Sequence, residues 1–363
     1  MRVLFLSWRD TTHPDGGGSE VYVEQVAAGL AARGHDVTVL CAAHPGAADV
    51  TVRDGFRILR RGGRLTVYLH GLALLLGPAG RRTDVVVDVV NGLPFAAPLV
   101  RRRGLVALVH HLHREQWRII YPGLGGRLGW FVESRVVPRL YRRVPFVTVS
   151  EASRRDLAGL GVTSTTVIRN GTPPLPEPRL PRSATPRICV LSRLVPHKRI
   201  EQAIAVLDAL RERYPDLVLD LVGDGWWAGE LDAEITRRGL QDVVVRHGRV
   251  DEQTKADVLG RAWLMVLPSV REGWGISVME AAATGTPTVA YASAGGTGES
   301  VVDGVTGVLV HDEAGLLAAV DDLLGDRDRR DRLGRAARDR ASEFGWDEAA
   351  AGVERVLRAS YAP

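Results

Sequence analysis

The sequence predicts an α/β protein built from two doubly wound domains with parallel sheets. Short β-branched apolar runs alternate with helix-length segments, the pattern of strands buried on both faces. The alternation halts in a proline-rich stretch midway and then restarts. The chain has 363 residues, 45% hydrophobic and 25% charged, which suits two globular cores better than one. In doubly wound sheets ligands bind outside the carboxyl ends of the strands, so the chemistry is expected between the two domains.

In the first half, Val3 to Ser7 reads as a strand, Glu20 to Arg33 as an amphipathic helix and Asp36 to Ala42 as a second strand. Asp84 to Val90, Leu105 to Val109, Phe146 to Val149 and Thr166 to Ile168 continue the sheet, giving a first domain over 1–171. From Thr172 to Pro186 the chain carries Pro173, Pro174, Pro176, Pro178, Pro181 and Pro186, which block regular structure and mark a linker. Strands then recur at Arg187 to Leu191, Val218 to Val222, Val243 to His247, Leu264 to Leu267 and Thr288 to Ala290, with helices such as Ile200 to Arg213 between them. These make a second domain over 187–345. The chain after Glu313 reads as helical, and its last stretch, 346–363, is a helix free to pack back on the first domain.

Composition narrows the classes of function. The apolar run Leu69 to Leu76 is interrupted by His70 and closed by Gly77-Pro78, well short of the roughly 20 residues a membrane span requires. The amino-terminal strand lacks the features of a signal peptide, so a cytoplasmic protein is expected. Cys41 and Cys189 each sit in a strand-like run, which argues against a disulfide framework or a Cys-rich metal site. Through Asn170 there are 23 Arg or Lys against 13 Asp or Glu, and after it 24 against 30, so a basic first half (+10) precedes an acidic second half (−6). Basicity of this kind suits an anionic acceptor, a membrane surface or a nucleic acid, and does not rank them. Positive charge is supplied by 45 arginines and only two lysines, Lys198 and Lys255. A lysine here is therefore an exception that suggests a positional role.

The richest motif runs from Arg271 to Glu280, directly after the strand Leu264 to Leu267. With a helix beginning near Ile276, the first-turn N–H groups and positive dipole end, around Ile276 and Ser277, form a seat for a diphosphate. Gly273 and Gly275, flanking Trp274, let a ligand approach the backbone. Glu272 before the helix and Glu280 one turn inside it bracket a bound molecule and can accept hydrogen bonds from sugar and ribose hydroxyls. The plain alternative is two solvated surface acids. Ser192 to Lys198 follows the strand Arg187 to Leu191, and there Arg193 offers a bidentate fork and Lys198 a mobile point charge. Gly223-Asp224-Gly225 and Gly295-Gly296-Thr297-Gly298-Glu299 are tight turns that leave strands at corresponding places, and Gly223, Gly225, Gly248, Arg249 and Val250 join the candidate donor set. Any α/β protein uses glycine this way, so each is weak by itself.

In the first half, Asp15-Gly16-Gly17-Gly18-Ser19-Glu20 joins the first strand to the first helix without the spacing of a dinucleotide site. It reads as a flexible loop for phosphate or acceptor. His110, His111 and His113 stand at the end of the strand Leu105 to Val109. Their spacing is not that of a helical zinc site, so no metal is expected, and at least one imidazole is expected to face substrate.

Together these pieces resemble family 4 of the glycosyltransferases, enzymes of the two-domain fold called GT-B, over Arg2 to about Phe344. The match consists of the Gly-Gly-Gly-Ser-Glu turn, a strand-end His, Val149-Ser150-Glu151, Arg169-Asn170-Gly171, the Arg193 and Lys198 pair, Gly223-Asp224-Gly225 and the acid-x7-acid motif from Glu272 to Glu280. The resemblance implies that Arg193 and Lys198 grip the donor diphosphate, Glu280 the ribose and Glu272 the transferred sugar. It also implies that His110 contacts the reacting sugar, with His111 as the alternative one position on. The family often has Gly at the positions of Ser192 and Arg199, Phe at that of Trp274, and Val-Pro at that of Thr297-Gly298.

The resemblance thus implies a retaining transferase of a hexosyl-type sugar from a nucleoside diphosphate donor, needing neither cofactor nor metal. The acceptor is then a small molecule or a lipid-linked glycan, of the kind used for cell-surface polysaccharides, glycolipids or glycosylated metabolites. A nucleotide-sugar epimerase or a glycoside phosphorylase of the same fold is the enzymatic rival. A nucleotide-sugar or nucleic-acid binding protein ranks low, because the arginines lack interleaved aromatics, and no nucleic-acid partner is expected. The segment Gly126 to Arg143 mixes Trp130, Phe131 and Val136 with five arginines, which suits either peripheral contact with an anionic membrane or a packed helix with a solvated basic face, with a kink at Pro138.

Overall fold

The computed structural model describes residues Met1–Tyr361. It divides into two compact units, one formed by Met1–Gly171 and the segment from Gly345 onward, the other by Thr172–Phe344.

The sheet of the first unit has eight strands: β1 (Arg2–Leu6), β2 (Asp36–Cys41), β3 (Val50–Arg53), β4 (Phe56–Arg60), β5 (Val85–Val89), β6 (Leu105–Val109), β7 (Phe146–Thr148) and β8 (Thr165–Val167). Their order is β3-β4-β2-β1-β5-β6-β7-β8, and every neighbouring pair is parallel except β3 with β4. β5 and β6 are buried along their whole length, which is why their sequences are apolar without alternation save for Asp88, whose carboxylate accepts from Phe95 N–H and Ala97 N–H. The β3–β4 hairpin is absent from the sequence expectation. Its turn, Asp54-Gly55, places both residues at positive φ, the turn chemistry that Asp-Gly favours.

The helix Trp346–Tyr361 belongs to this first unit. It packs on the helix Gly18–Ala32, with the rings of Tyr22 and Trp346 edge to face at 6.0 Å and His35 Nε2 at 3.0 Å from Glu354 Oε1. Residues 362 and 363 of the helix expected over 346–363 lie outside the described residues. The segment around Pro138 is a helix, Leu124–Phe131, that widens to a π turn at Val132–Val136 before Val137–Leu140. The wider turn accommodates a residue that has no N–H to donate.

The second sheet has six strands, all parallel: β9 (Arg187–Leu191), β10 (Val218–Val222), β11 (Val244–Gly248), β12 (Leu264–Leu267), β13 (Thr288–Tyr291) and β14 (Gly307–Val310). The order β11-β10-β9-β12-β13-β14 reverses direction between β9 and β12. The loops leaving those two strands therefore diverge to opposite faces and open a crevice at the sheet's carboxyl edge. Ile188, Val190, Leu219, Leu221, Leu264 and Val266 form the centre of the core beneath it.

The proline-rich stretch 172–186 is anchored along the second unit. Arg179 donates from its backbone (2.7 Å) and its guanidinium to Asp257, Ser183 N–H bonds Arg261 O at 3.0 Å, and Trp263 Nε1 bonds Ser183 O at 2.8 Å. Proline removes alternative backbone conformations, so the segment is held on the second unit at little entropic cost.

Candidate active site

In the second unit, the chain leaves β9 through Ser192–Val195, makes a tight turn at Pro196–Lys198 and enters the helix Ile200–Leu210 through Arg199. Arg199 is left-handed, at φ 49°, a conformation that favours glycine. Ser192 N–H bonds Val222 O and Leu194 N–H bonds Asp224 O, each at 3.0 Å, so this loop lies directly on the Gly223-Asp224-Gly225 turn. Gly223 sits at φ 122°, and a Cβ there would collide with the Ser192 carbonyl. Gly223 and Gly225 are thus required to shape the loop that carries Arg193 and Lys198. Arg193 is half-buried, and its carbonyl accepts from Val195 N–H and from the Ser192 hydroxyl.

Beyond β12 the chain runs through Val270–Gly275 into the helix Ile276–Ala283. Gly275 is the N-cap at φ 94°, and no side chain among the described residues caps the first turn at Ile276 and Ser277. The helix start presents its N–H groups and dipole to an anion. Glu272 N–H bonds Ala294 O at 2.9 Å, fixing the preceding loop.

The two loops meet in an ion pair. Lys198 Nζ lies 2.5 Å from Glu272 Oε1, with side-chain exposures of 14% and 13%. Glu280 is buried, and its Oε1 receives Lys255 Nζ at 2.8 Å from the neighbouring helix Glu252–Arg261. Burial raises the Glu280 carboxyl above its ordinary range against the opposing pull of Lys255. Burial would lower Lys255, but Glu280 and Glu252 outweigh it and raise the ammonium's pKa. Sequence reasoning noted Lys255 only as a rare lysine. Its contact across helices was not legible, although its rarity was a usable signal.

Other expected donor residues fall out differently. Trp274 is a packing residue, 2% exposed with its ring 5.1 Å from that of Phe344, so only its main chain remains for a ligand. Gly248 lies beside the Gly223 turn, its carbonyl accepting Gly223 N–H at 2.8 Å. Arg249 is exposed and Val250 half-buried in the short loop that leads to Lys255's helix.

In the first unit, the Gly-rich loop is organised by its own acids. Glu20, 1% exposed, accepts from Arg9 Nη2 at 3.2 Å, Gly17 N–H at 2.7 Å and the Ser19 hydroxyl at 2.8 Å. Gly16 N–H bonds His13 O at 2.8 Å. Of the residues expected to form a phosphate or acceptor loop, Gly16, Gly17, Gly18, Ser19 and Glu20, the N–H groups of Gly16 and Gly17 and the Glu20 carboxylate are engaged within the loop, while Gly18 is exposed. Asp10 supports the same loop, its carboxylate 2.6 Å from Arg60 Nε.

His110 is 5% exposed and stacks edge to face on Tyr22 at 5.3 Å, and neither ring nitrogen has a hydrogen-bond partner among the described residues. Burial lowers its pKa to about 4, against the attraction of Glu20, so the imidazole is neutral. His111 is half-buried, with Nε2 3.0 Å from Gln116 Nε2. His113 is held by Glu133. Its Nδ1 lies 2.9 Å from Glu133 Oε1, and the same buried acid takes Trp117 Nε1 at 3.0 Å.

The sequence matches the family description "Glycosyl transferase 4-like domain" over 17–171 and "Glycosyl transferases group 1" over 175–340. It is 30% identical to the D-inositol 3-phosphate glycosyltransferase of Xylanimonas cellulosilytica, over 93% of this chain and 91% of that one. It is 29% identical to the glycogen synthase of Mycobacterium tuberculosis, over 99% and 95%. Among solved structures, the sucrose-phosphate synthase of Thermosynechococcus elongatus shares the fold at a TM-score of 0.85 and 22% identity, covering 99% of this chain and 98% of that one. The chain belongs to the family 4 glycosyltransferases of GT-B type, and it is a glycosyltransferase.

Proposed function

We propose that the protein transfers a hexosyl-type sugar from a nucleoside diphosphate donor to an acceptor hydroxyl with retention of anomeric configuration. The observation that carries this reading is the Lys198–Glu272 pair at the switch of the second sheet, beside a helix start with no side-chain cap. Arg193 and Lys198 take the diphosphate, Glu272 the sugar hydroxyls and Glu280 the ribose. Ammonium carries three N–H donors, so Lys198 can hold Glu272 and still reach phosphate.

As the glycosyl–phosphate bond lengthens, negative charge grows on the leaving oxygen, where the two cations and the helix dipole stabilise it. The leaving phosphate takes the acceptor proton on the same face, and no metal or protein base enters this route. The names of the relatives, a glycogen synthase and an inositol phosphate glycosyltransferase, leave a glycan and a small phosphorylated polyol as competing acceptor classes. Product NMR after incubation with UDP-, ADP- and GDP-hexoses and these two acceptor types tests the proposal. Retained configuration and acceptor-dependent nucleotide release are expected, and an inverted product overturns it.

A lipid-linked acceptor at a cytoplasmic membrane face is supported by one patch. Leu124, Leu128 and Phe131 are exposed on a helix flanked by Arg127 and Arg135, an arrangement suited to an anionic surface. Sedimentation with anionic vesicles at low salt, lost on Leu128→Asp, is the expected result; equal sedimentation with neutral vesicles removes this reading.

A further inference from the structure

Both lysines of the chain pair with the two acids of the donor motif, Lys198 with Glu272 and Lys255 with Glu280. We propose that Lys255 is a positioning residue that fixes the Glu280 carboxylate for the ribose of the donor, holding one oxygen and leaving the other to the sugar. The proposal rests on the reading of Glu280 given above and adds a residue that the donor motif does not contain.

The geometry is a three-membered cluster. Lys255 Nζ lies 2.8 Å from Glu280 Oε1, 2.8 Å from Glu252 Oε1 and 2.9 Å from Glu252 Oε2. Side-chain exposure is 15% for Lys255 and 10% for Glu280, whereas Glu252 is largely exposed at 59%. Glu280 Oε2 accepts no hydrogen bond from any described residue. A carboxylate buried this deeply would be strongly unfavourable without a countercharge, and Lys255 supplies it.

Lysine is also the fitting cation at this point. An arginine fork pairs with both oxygens of a carboxylate in one plane, while an ammonium is a point charge that takes one. In a chain with 45 arginines and two lysines, the residue that leaves an acceptor oxygen open stands where the open oxygen is needed. The helix bearing Lys255 is itself held in place. Asp251 caps it through Thr254 N–H at 2.7 Å, and Asp257 binds Arg179 of the proline-rich segment.

The test is calorimetric binding of UDP, ADP and GDP, each against its 2′-deoxy and 3′-deoxy counterparts, to the wild type, Glu280→Gln, Lys255→Met and Lys255→Arg. The wild type is expected to prefer the ribonucleotide by about tenfold or more, the effect of a hydrogen bond to a charged group. Lys255→Met and Lys255→Arg are expected to lose that preference together with Glu280→Gln, while affinity for the deoxynucleotide changes little. A merely structural ion pair would lower both affinities alike or neither. Loss of preference in Glu280→Gln with full preference in both Lys255 variants overturns the role of Lys255. Absence of preference in the wild type, or its survival in Glu280→Gln, overturns the ribose reading itself. If Lys255→Met melts below the assay temperature, Lys255→Arg, which keeps the charge, carries the same test.

Discussion

The two units use buried charge in opposite ways at the carboxyl edges of their sheets. In the first, Asp10 and Glu20 are saturated by arginines, hydroxyls and backbone N–H groups of their own loop. In the second, Glu272 and Glu280 each meet a single lysine contact on one oxygen. A saturated acid stabilises a loop, whereas an acid with one oxygen held is both oriented and able to bind. Similar motifs on the page of a sequence, a Gly-rich turn followed by Glu, thus divide into scaffold and site by what surrounds the carboxylate.

The sharpest way to break this comparison is Lys198→Ala. Removing a charge aimed at the leaving group is expected to lower kcat by about 10²-fold or more with the fold intact. Nucleotide release under saturating donor, alongside a melting curve, measures it. Near-normal turnover would make the Lys198–Glu272 pair as structural as those of the first unit.

The converse experiment is Glu20→Ala. Arg9 and Glu20 have side-chain exposures of 7% and 0%, so removing the acid leaves a buried, uncompensated guanidinium. Stability is expected to fall by about 3 kcal/mol, read by denaturant unfolding. A variant that unfolds normally but binds acceptor poorly would return the Gly-rich loop to a binding role.

His110 gives a smaller effect that depends on pH. Its folded pKa of about 4 lies below the ordinary 6.5, so between those values the unfolded chain binds the extra proton. Its contribution is complete above pH 6.5 and is lost as pH falls towards 4, by roughly 3 kcal/mol at most. The acid limb of stability should flatten in His110→Gln, and kcat should show no ionisation of this group near 6.5. An inflection near 6.5 that disappears in His110→Gln would contradict a neutral buried imidazole.

Much of the second unit is legible in the sequence because its signals are local. The helix start at Ile276 follows from glycines and an apolar period, and the loop after β9 from a strand edge followed by cations. The unread parts are long-range. Nothing local shows that Trp274 turns inward onto Phe344, that Lys255 reaches Glu280, or that Glu20 is claimed by Arg9. The β3–β4 hairpin is the exception, since Asp54-Gly55 between β-branched runs was a local signal.

The smallest expected effect concerns the backbone beside Lys198. Arg199 is exposed and held at φ 49°, which disfavours any residue with a Cβ by about 1 kcal/mol relative to glycine. Part of that is offset by the greater freedom of glycine in the unfolded chain. Arg199→Gly is therefore expected to raise stability by about 0.5 kcal/mol, a shift in Tm of roughly 1 to 2 °C. Because glycine adopts the same left-handed turn, Lys198 should keep its contact with Glu272 and the donor KM should not move. A marked rise in KM would mean that the Arg199 side chain, and not only its backbone, helps hold the diphosphate, adding a third cation to the open edge of the second sheet.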